Sequence, residues 1–512
     1  MAIAGGKWGI LYVVCMAVFI MVIDTTIMNV SITALVIDLD TTVPAIQAVI
    51  AIYALIMASF MLVGGRMQDV MGRRRAFLFG VVLYGIGTFV ASMSWNIGVL
   101  LVGWSVLEGL GAVFMLPATA TFITDAYEGA DRAFAFGIWG GIGAAGAAFG
   151  PIIGGYLTSF YSWRWAFRLE LLVVVVILLL SPLIRPSAPT ASWREIDTVG
   201  TLLSFGGLSL IVAGILMLRS VTLWEVIPVV IGSGLVLLGI FYLWQRRRIR
   251  QNLPPLTDIA LFGNRTFALG SGINAALTVV LAGFLFIIPI FLQSVTGVGA
   301  FETGLALLPM SLSVFALSIA GARLSGRIDP KYLVLAGSGA AIAGAVMMRG
   351  IFGIGTGIWD IVPGSVFFGL GVGLILSQAT NITLSAASMR QQSDASGILN
   401  TAKQMGTSLG TALIGVVLLI VIFSGLVGGL AASGLAGDLT DEEIALRLQE
   451  WIERMKTDGE ATVPDDYLPH AEEIADAAIG EGMMRSFDAI TVILLLGGCL
   501  ALFLPPARRE GG

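Results

Sequence analysis

Residues 65–75 read Gly65-Arg66-Met67-Gln68-Asp69-Val70-Met71-Gly72-Arg73-Arg74-Arg75. An apolar run precedes this stretch, at about 46–64, and another follows it, at about 76–94; each is near the ~20 residues that cross ~30 Å of hydrocarbon. Two such runs joined by so short a polar turn describe two antiparallel membrane-spanning helices. Clustered arginines place the turn on the cytoplasmic side. A positive anchor accounts for the arginines but not for Asp69 and Gly72 at their offsets. Gly65, Asp69, Gly72, Arg73 and Arg74 are therefore read as a charged hinge. Its acid would pair with a cation or a helix N-terminus in one state and release it in another.

The same pattern extends over the whole chain. Further apolar runs lie at about 9–34, 98–120, 133–158, 166–184, 199–218, 225–244, 267–292, 303–322, 332–350, 360–386, 395–424 and 487–504, making about fourteen spans of membrane length. Polar segments separate them at Arg185–Asp197 and Gln245–Arg265. The division between 303–322 and 332–350 is the least marked. Of the 512 residues, 57% are hydrophobic and 12% charged, against roughly 25% charged in a soluble domain. A water-soluble fold could not bury that apolar surface. The 65 glycines suit a membrane bundle, where small residues let helix backbones approach. The net charge of −5 averages over two sides of a membrane and carries little information.

Lys7 ahead of an apolar run resembles a secretion signal. The run continues past Asp24 without a small-residue cleavage site, so it is read as the first span. With the N-terminus inside, about 20 of the 28 Lys and Arg residues fall on the cytoplasmic side and about 4 in short outer loops, a bias that places both termini in the cytoplasm. The long outer segment, at about 425–486, is acidic. Thr440 and Glu443 form a capping box. Ile444, Leu448, Trp451 and Met455 then share one helical face, which predicts a short amphipathic helix on the outer surface.

The fifth span carries Gly146-Ala-Ala-Phe-Gly150-Pro151-Ile-Ile-Gly154-Gly155. Gly146, Gly150 and Gly154 recur on one face. Pro151 removes a backbone hydrogen bond and favours a bend. The segment reads as a helix that packs closely against a partner and flexes. Acids inside spans are a second signal. A carboxylate at the centre of a span costs about 2.5–3.5 kcal/mol on insertion scales, so such residues face the bundle interior. Asp24 lies about 22 Å into its helix at 1.5 Å per residue, and Glu108 about ten residues into its own, so neither can snorkel. Desolvation favours the protonated form of a carboxyl, which suits proton uptake and release. Asp24, Glu108 and Asn29 are taken as candidates for proton and substrate coupling, and Asn400 and Lys403 as cavity lining. Glu170, Glu302 and Asp360 read as solvated caps near the outer interface.

These residues resemble a known family. The turn at 65–74 is similar to the Gly-x-x-x-Asp-x-x-Gly-Arg-Arg loop signature of the major facilitator superfamily. The fifth span matches that superfamily's antiporter signature, Gly-x-x-x-Gly-Pro-x-x-Gly-Gly, at every fixed position. The stretches Ile23-Asp24-Thr25-Thr26-Ile27-Met28-Asn29-Val30, Trp163-Arg164-Trp165-Ala166-Phe167, Asp197 with Gly200, Leu261-Phe262-Gly263-Asn264-Arg265-Thr266-Phe267, and Gly397-Ile-Leu-Asn400-Thr-Ala-Lys403-Gln404-Met-Gly406 resemble the fourteen-helix drug:proton antiporter branch. The resemblance implies an all-α fold of two six-helix bundles, 1–184 and 266–512, with two inserted helices and their linkers in 185–265. Substrate would sit between the bundles at mid-membrane. There are two departures. Where the family carries Arg-x-x-Gln-Gly in its fourth helix, this chain has Ser105-Val106-Leu107-Glu108-Gly109. After the Trp-Arg-Trp motif, Glu170 stands for the family's Asn and Leu172 for its Pro.

No phosphate loop and no sizeable soluble domain support an ATP-driven pump. The single His470 and the two cysteines, Cys15 and Cys499, form neither a metal site nor an enzyme centre. The expected function is proton-coupled export of small lipophilic or cationic compounds from a multi-pass protein of the cell membrane. The alternatives are export of one endogenous metabolite, lipid or siderophore, and a non-transporting sensor. Expected partners are the bilayer, protons and a small-molecule substrate, with no cofactor, metal or nucleic acid. A monomer is expected, with oligomeric state left open.

Overall fold

Thr42 accepts a hydrogen bond from the Ala45 amide and Pro44 sits in the first turn, so the second long helix starts where both residues favour a start. Asn96, Asn264 and Asp329 cap three others in the same way. The computed structural model describes residues 8–505, except 128, 187, 190–191, 194–195, 218–222, 252, 254, 258, 326, 388–391, 434–438 and 449–467. Its long helices are α1 (Gly9–Val30), α2 (Val43–Met71), α3 (Arg73–Ser92), α4 (97–126), α5 (Gly129–Phe160), α6 (Arg164–Leu180), α7 (Thr198–Met217), α8 (Ile227–Arg250), α9 (Arg265–Ser294), α10 (Ala300–Leu324), α11 (Pro330–Met348), α12 (Ile358–Ser385), α13 (Gln392–Ala432) and α14 (Leu468–Leu502). Among the described residues, thirteen helices are long and apolar enough to cross a membrane. The remaining one, α5, is 32 residues long.

The expected spans recur as helices, including the weakly marked division, where Asp329 and Pro330 start α11. Two boundaries differ from expectation. The segment between the last two helices is shorter than the expected 425–486, because α13 runs to Ala432 and α14 begins at Leu468. Hydropathy alone misses that start, since Glu472, Glu473, Asp476 and Glu481 occupy the first turns of a helix that continues unbroken into its apolar part. The capping box at Thr440 is present: its amide donates to Glu443 Oε2 at 2.9 Å, and the Glu443 amide donates to its hydroxyl at 3.4 Å. The Thr440 amide and hydroxyl hold the Glu443 carboxyl below the usual carboxylate range. A helix follows over 441–448 with Ile444 buried. Trp451 and Met455 lie outside the described residues.

Apolar side chains that face away from the bundle line up at helical spacing, as Phe79, Val82, Ile86 and Phe89 do on α3, the face a lipid-exposed helix presents. Within the fold, α1 packs on α5, α3 on α4 and α6, α7 on α8, α10 and α11 on α12, and α9 on α13 and α14. Asp197 fastens α7 to α8: it accepts from the Gly200 amide, Trp244 Nε1 and Gln245 Nε2 at 2.9, 2.9 and 2.7 Å. Early and late helices meet along two seams, α5 against α10 and α2 against α13.

Candidate functional site

Glycines of α5 set its contacts with α1 and with the first seam. On α5, a side chain at Gly146 would press on Val22, one at Gly150 would collide with Thr26, and one at Gly154 with Ile27, all on α1. Gly155 faces the other way, against the Ala300 carbonyl and Phe301 of α10. The four-residue spacing thus serves α1 and the adjacent glycine serves the seam, completed by the Phe301 amide donating to Ser159 Oγ at 3.0 Å. At the second seam, Gln47 Nε2 donates to the carbonyls of Thr411 and Ala412 at 2.7 and 3.1 Å, and Ser408 Oγ to the Ala51 carbonyl at 2.8 Å.

At the turn between α2 and α3, Gly72 has φ +86°, a conformation an L side chain rarely adopts. It alone joins the two helices. Gly65 has no neighbour that a side chain would meet. Arg73 pairs with Asp125 at the end of α4. Asp69 occupies the last turn of α2 and Arg74 the first turn of α3. Arg66 reaches the Pro255 carbonyl at 3.2 Å and Asp394 at 3.9 Å.

A cavity of about 210 Å³ lies between the seams. Thr25, Thr26 and Asn29 of α1, Tyr53 of α2 and Trp104 of α4 form one wall. Thr278 and Leu285 of α9, Ser311 of α10, and Gln404, Thr407 and Thr411 of α13 form the other. Asn29 lines it, with its amide donating to the Thr25 carbonyl at 2.8 Å. Asn400 and Lys403 do not belong to this wall. The residues α13 offers are Gln404, Thr407 and Thr411, whereas Lys403 Nζ donates to Thr380 Oγ1 on α12 at 2.9 Å.

Behind the aromatic wall stand three acids. Asp24, Glu108 and Glu170 are fully buried, and one carboxylate oxygen of each lies within 4.8 Å of those of the others. Trp104 Nε1 donates to Asp24 Oδ2 at 3.0 Å, and the Tyr84 hydroxyl to Glu170 Oε2 at 3.1 Å. The Tyr53 hydroxyl also faces Asp24, and Glu108 lies against Tyr84 and Glu170. Among the described residues, no Lys, Arg or His pairs with the three. Local structure explains the convergence. Leu101–Glu108 is a π-helical segment inside α4, a widening that redirects side chains and is frequent at functional sites. Gly87 and Gly103 let α3 and α4 touch backbone to backbone beside Glu108.

Glu170 corrects the expectation of a solvated cap. It shares the buried face of α6 with Phe167, Val174 and Ile177, while Leu172, Val175 and Leu179 face outward. That spacing is present in the sequence, where the three-to-four-residue repeat from Phe167 to Ile177 marks one helical face. Glu302 and Asp360 are exposed in the first turns of α10 and α12, and Asp360 accepts from the Gly357 amide at 2.8 Å.

A family model of the Major Facilitator Superfamily matches residues 14–205 and 197–411. The puromycin resistance protein pur8 of Streptomyces alboniger is 28% identical over 416 residues, which are 80% of this chain and 82% of that one. The probable actinorhodin transporter of Streptomyces coelicolor is 26% identical over 98% of this chain and 93% of its own. The multidrug resistance protein Stp of Mycobacterium tuberculosis is 27% identical over 79% of this chain and 74% of its own. Among solved structures, a bacterial homologue of the human lysosomal transporter Spinster, inward-facing and occupied, superposes with a TM-score of 0.63 at 16% identity over 96% of both chains. With many helices long and apolar enough to cross the bilayer and a cavity lined by early and late helices alike, the chain belongs to the Major Facilitator Superfamily and is a multi-pass transporter of the cell membrane, not an enzyme.

Proposed function

We propose that the chain exports small lipophilic or cationic compounds in exchange for protons, by alternating access. The observation that carries this reading is the set of three buried acids beside a cavity that both halves enclose. Carboxylates this close repel one another when ionised, so the set is suited to hold and release protons. Asp24 and Glu108 are the coupling acids of this reading, with Asn29 on the substrate side. The bundles would be 1–184 and 266–512, with α7 and α8 in the insert 185–265, both termini cytoplasmic, and the chain acting as a monomer. Gly65, Asp69, Gly72, Arg73 and Arg74 would serve as the hinge, and the glycines around Pro151 as the flexing contact. Asn400 and Lys403 are kept as polar residues close to the path.

Relatives named for puromycin, methylenomycin A and methyl viologen resistance support a range of substrates. A second reading, export of one particular compound, is favoured by relatives named for actinorhodin and for tetracenomycin C. Proteoliposomes with an imposed pH gradient and a panel of labelled compounds separate the two. Several unrelated substrates accumulated against their gradients would support the first; a single one would support the second. Accumulation that survives a protonophore would sink proton coupling, and no transport of any compound would leave a sensor.

A further inference from the structure

The acids and the cavity do not touch. None of Asp24, Glu108 and Glu170 contributes to the cavity wall, whereas Tyr53 and Trp104 do. These two rings stack with centroids 5.6 Å apart and planes 30° apart. Phe167 of α6 meets the far side of the indole edge-on, with centroids 6.1 Å apart. Ser105 Oγ donates to the Val49 carbonyl at 2.8 Å and ties the wide turn of α4 to α2. The indole is thus held between two rings, with one edge in the cavity wall and its N–H on Asp24. The Tyr53 hydroxyl is almost wholly buried and faces the Asp24 carboxyl as a second donor beside the indole.

We propose that Trp104, backed by Tyr53, is the positioning residue that lets a molecule in the cavity and a proton on Asp24 exclude each other without contact. This rests on the proton-exchange reading above. An ionised carboxylate gains from an N–H donor, and a protonated one gains less because it must place its own O–H. A flat ligand resting on the Tyr53–Trp104 pair holds the indole in its donating position and so favours ionised Asp24. The proton leaves as the ligand arrives. By linkage, a proton on Asp24 weakens the ligand by the same factor. The titratable groups that face Asp24 and the pair are Tyr53 of α2, Tyr84 of α3, Glu108 of α4 and Glu170 of α6. None of them is a cation; the Tyr53 hydroxyl is a further donor to Asp24, so Tyr53→Phe should weaken the pH dependence in the same direction as loss of the indole N–H.

The test uses the full-length protein in nanodiscs, with ethidium binding followed by fluorescence anisotropy, and tetraphenylphosphonium by equilibrium dialysis. In the wild type, Kd should rise at least about fivefold between about pH 8 and about pH 5.5, the lower end of usual coupling between sites. In Trp104→Phe, which keeps a ring but has no N–H, the ratio of the two Kd values should fall below about twofold whatever the absolute affinity. Asp24→Asn should also lose the pH dependence. If Trp104→Phe does not fold, Phe167→Leu, which unbacks the indole, should reduce the ratio. A wild-type pH ratio in Trp104→Phe overturns the link, as does a wild type that binds neither cation. If the wild type binds without pH dependence and exports without a proton gradient, the proton-exchange reading itself fails.

Discussion

Gly154 of α5 lies so close to Ile27 of α1 that a Cβ on the glycine would come within 2.8 Å of the Ile27 Cα. Both helices present backbone to backbone there, so nothing can give way by a rotamer change. Overpacking costs about 1–3 kcal/mol even where neighbours shift. Gly154→Leu is expected to reduce export sharply and lower the thermal midpoint while the chain still inserts. Wild-type turnover of the purified variant in proteoliposomes would reduce the glycine face to ordinary packing.

Asp24→Asn keeps the acceptor for Trp104 but cannot lose a proton. Gradient-driven accumulation should vanish while exchange of substrate across the membrane without a gradient continues. One elementary charge moving through 100 mV supplies about 2.3 kcal/mol, or about a fifty-fold gradient at about 1.4 kcal/mol per tenfold, and that is the accumulation to be lost. Full accumulation with an unchanged pH profile would remove Asp24 from the coupling.

Glu108→Gln and Glu170→Gln each remove one potential charge from the set while keeping its volume. Each should have a milder effect than Asp24→Asn, because the Trp104 N–H donates to Asp24 and not to them. The double variant should fall below the product of the single effects if the three share protons, since residues in contact are not additive. Initial rates of proton-driven uptake across a pH series read this out; strict additivity would argue against a shared set.

The orientation can be checked by labelling. With Cys15 and Cys499 replaced, a single cysteine at Thr440 should react only from outside and one at Gln251 only from inside. Reaction of both from the same side would contradict the alternation of spans between them.

Asp197→Ala would leave the Trp244 indole, the Gln245 amide and the Gly200 N–H without their acceptor. An orphaned buried donor costs about 1–3 kcal/mol, so the thermal midpoint should fall and proteolysis between α7 and α8 should quicken. An unchanged midpoint would show that these donors find other partners.

The helices were legible because their physics is one-dimensional. Length and apolarity mark a span, and caps such as Asp329 before Pro330 mark its start. The close packing at Gly146, Gly150 and Gly154 was legible for the same reason, since spacing along a helix fixes which residues share a face. What covers a face was not legible. Glu170 reads as a cap until the Tyr84 hydroxyl, from another helix, is placed on its carboxylate. The wide turn at Leu101–Glu108 has no mark in the sequence, because neither Gly nor Pro is required to make one.

The single residue between α2 and α3 has a mechanical consequence. Gly72 gives the two helices a tether with no slack, so α2 cannot be displaced without dragging α3. The hydrogen bonds that Gln47 and Ala51 make across to α13 sit on α2, and the hydroxyl that Tyr84 gives to Glu170 sits on α3. Parting the α2–α13 seam would therefore pull on a carboxyl buried among other helices. Lengthening the tether by two inserted glycines would leave both contacts intact and let one open without the other, a slipping clutch between the gate and the acids.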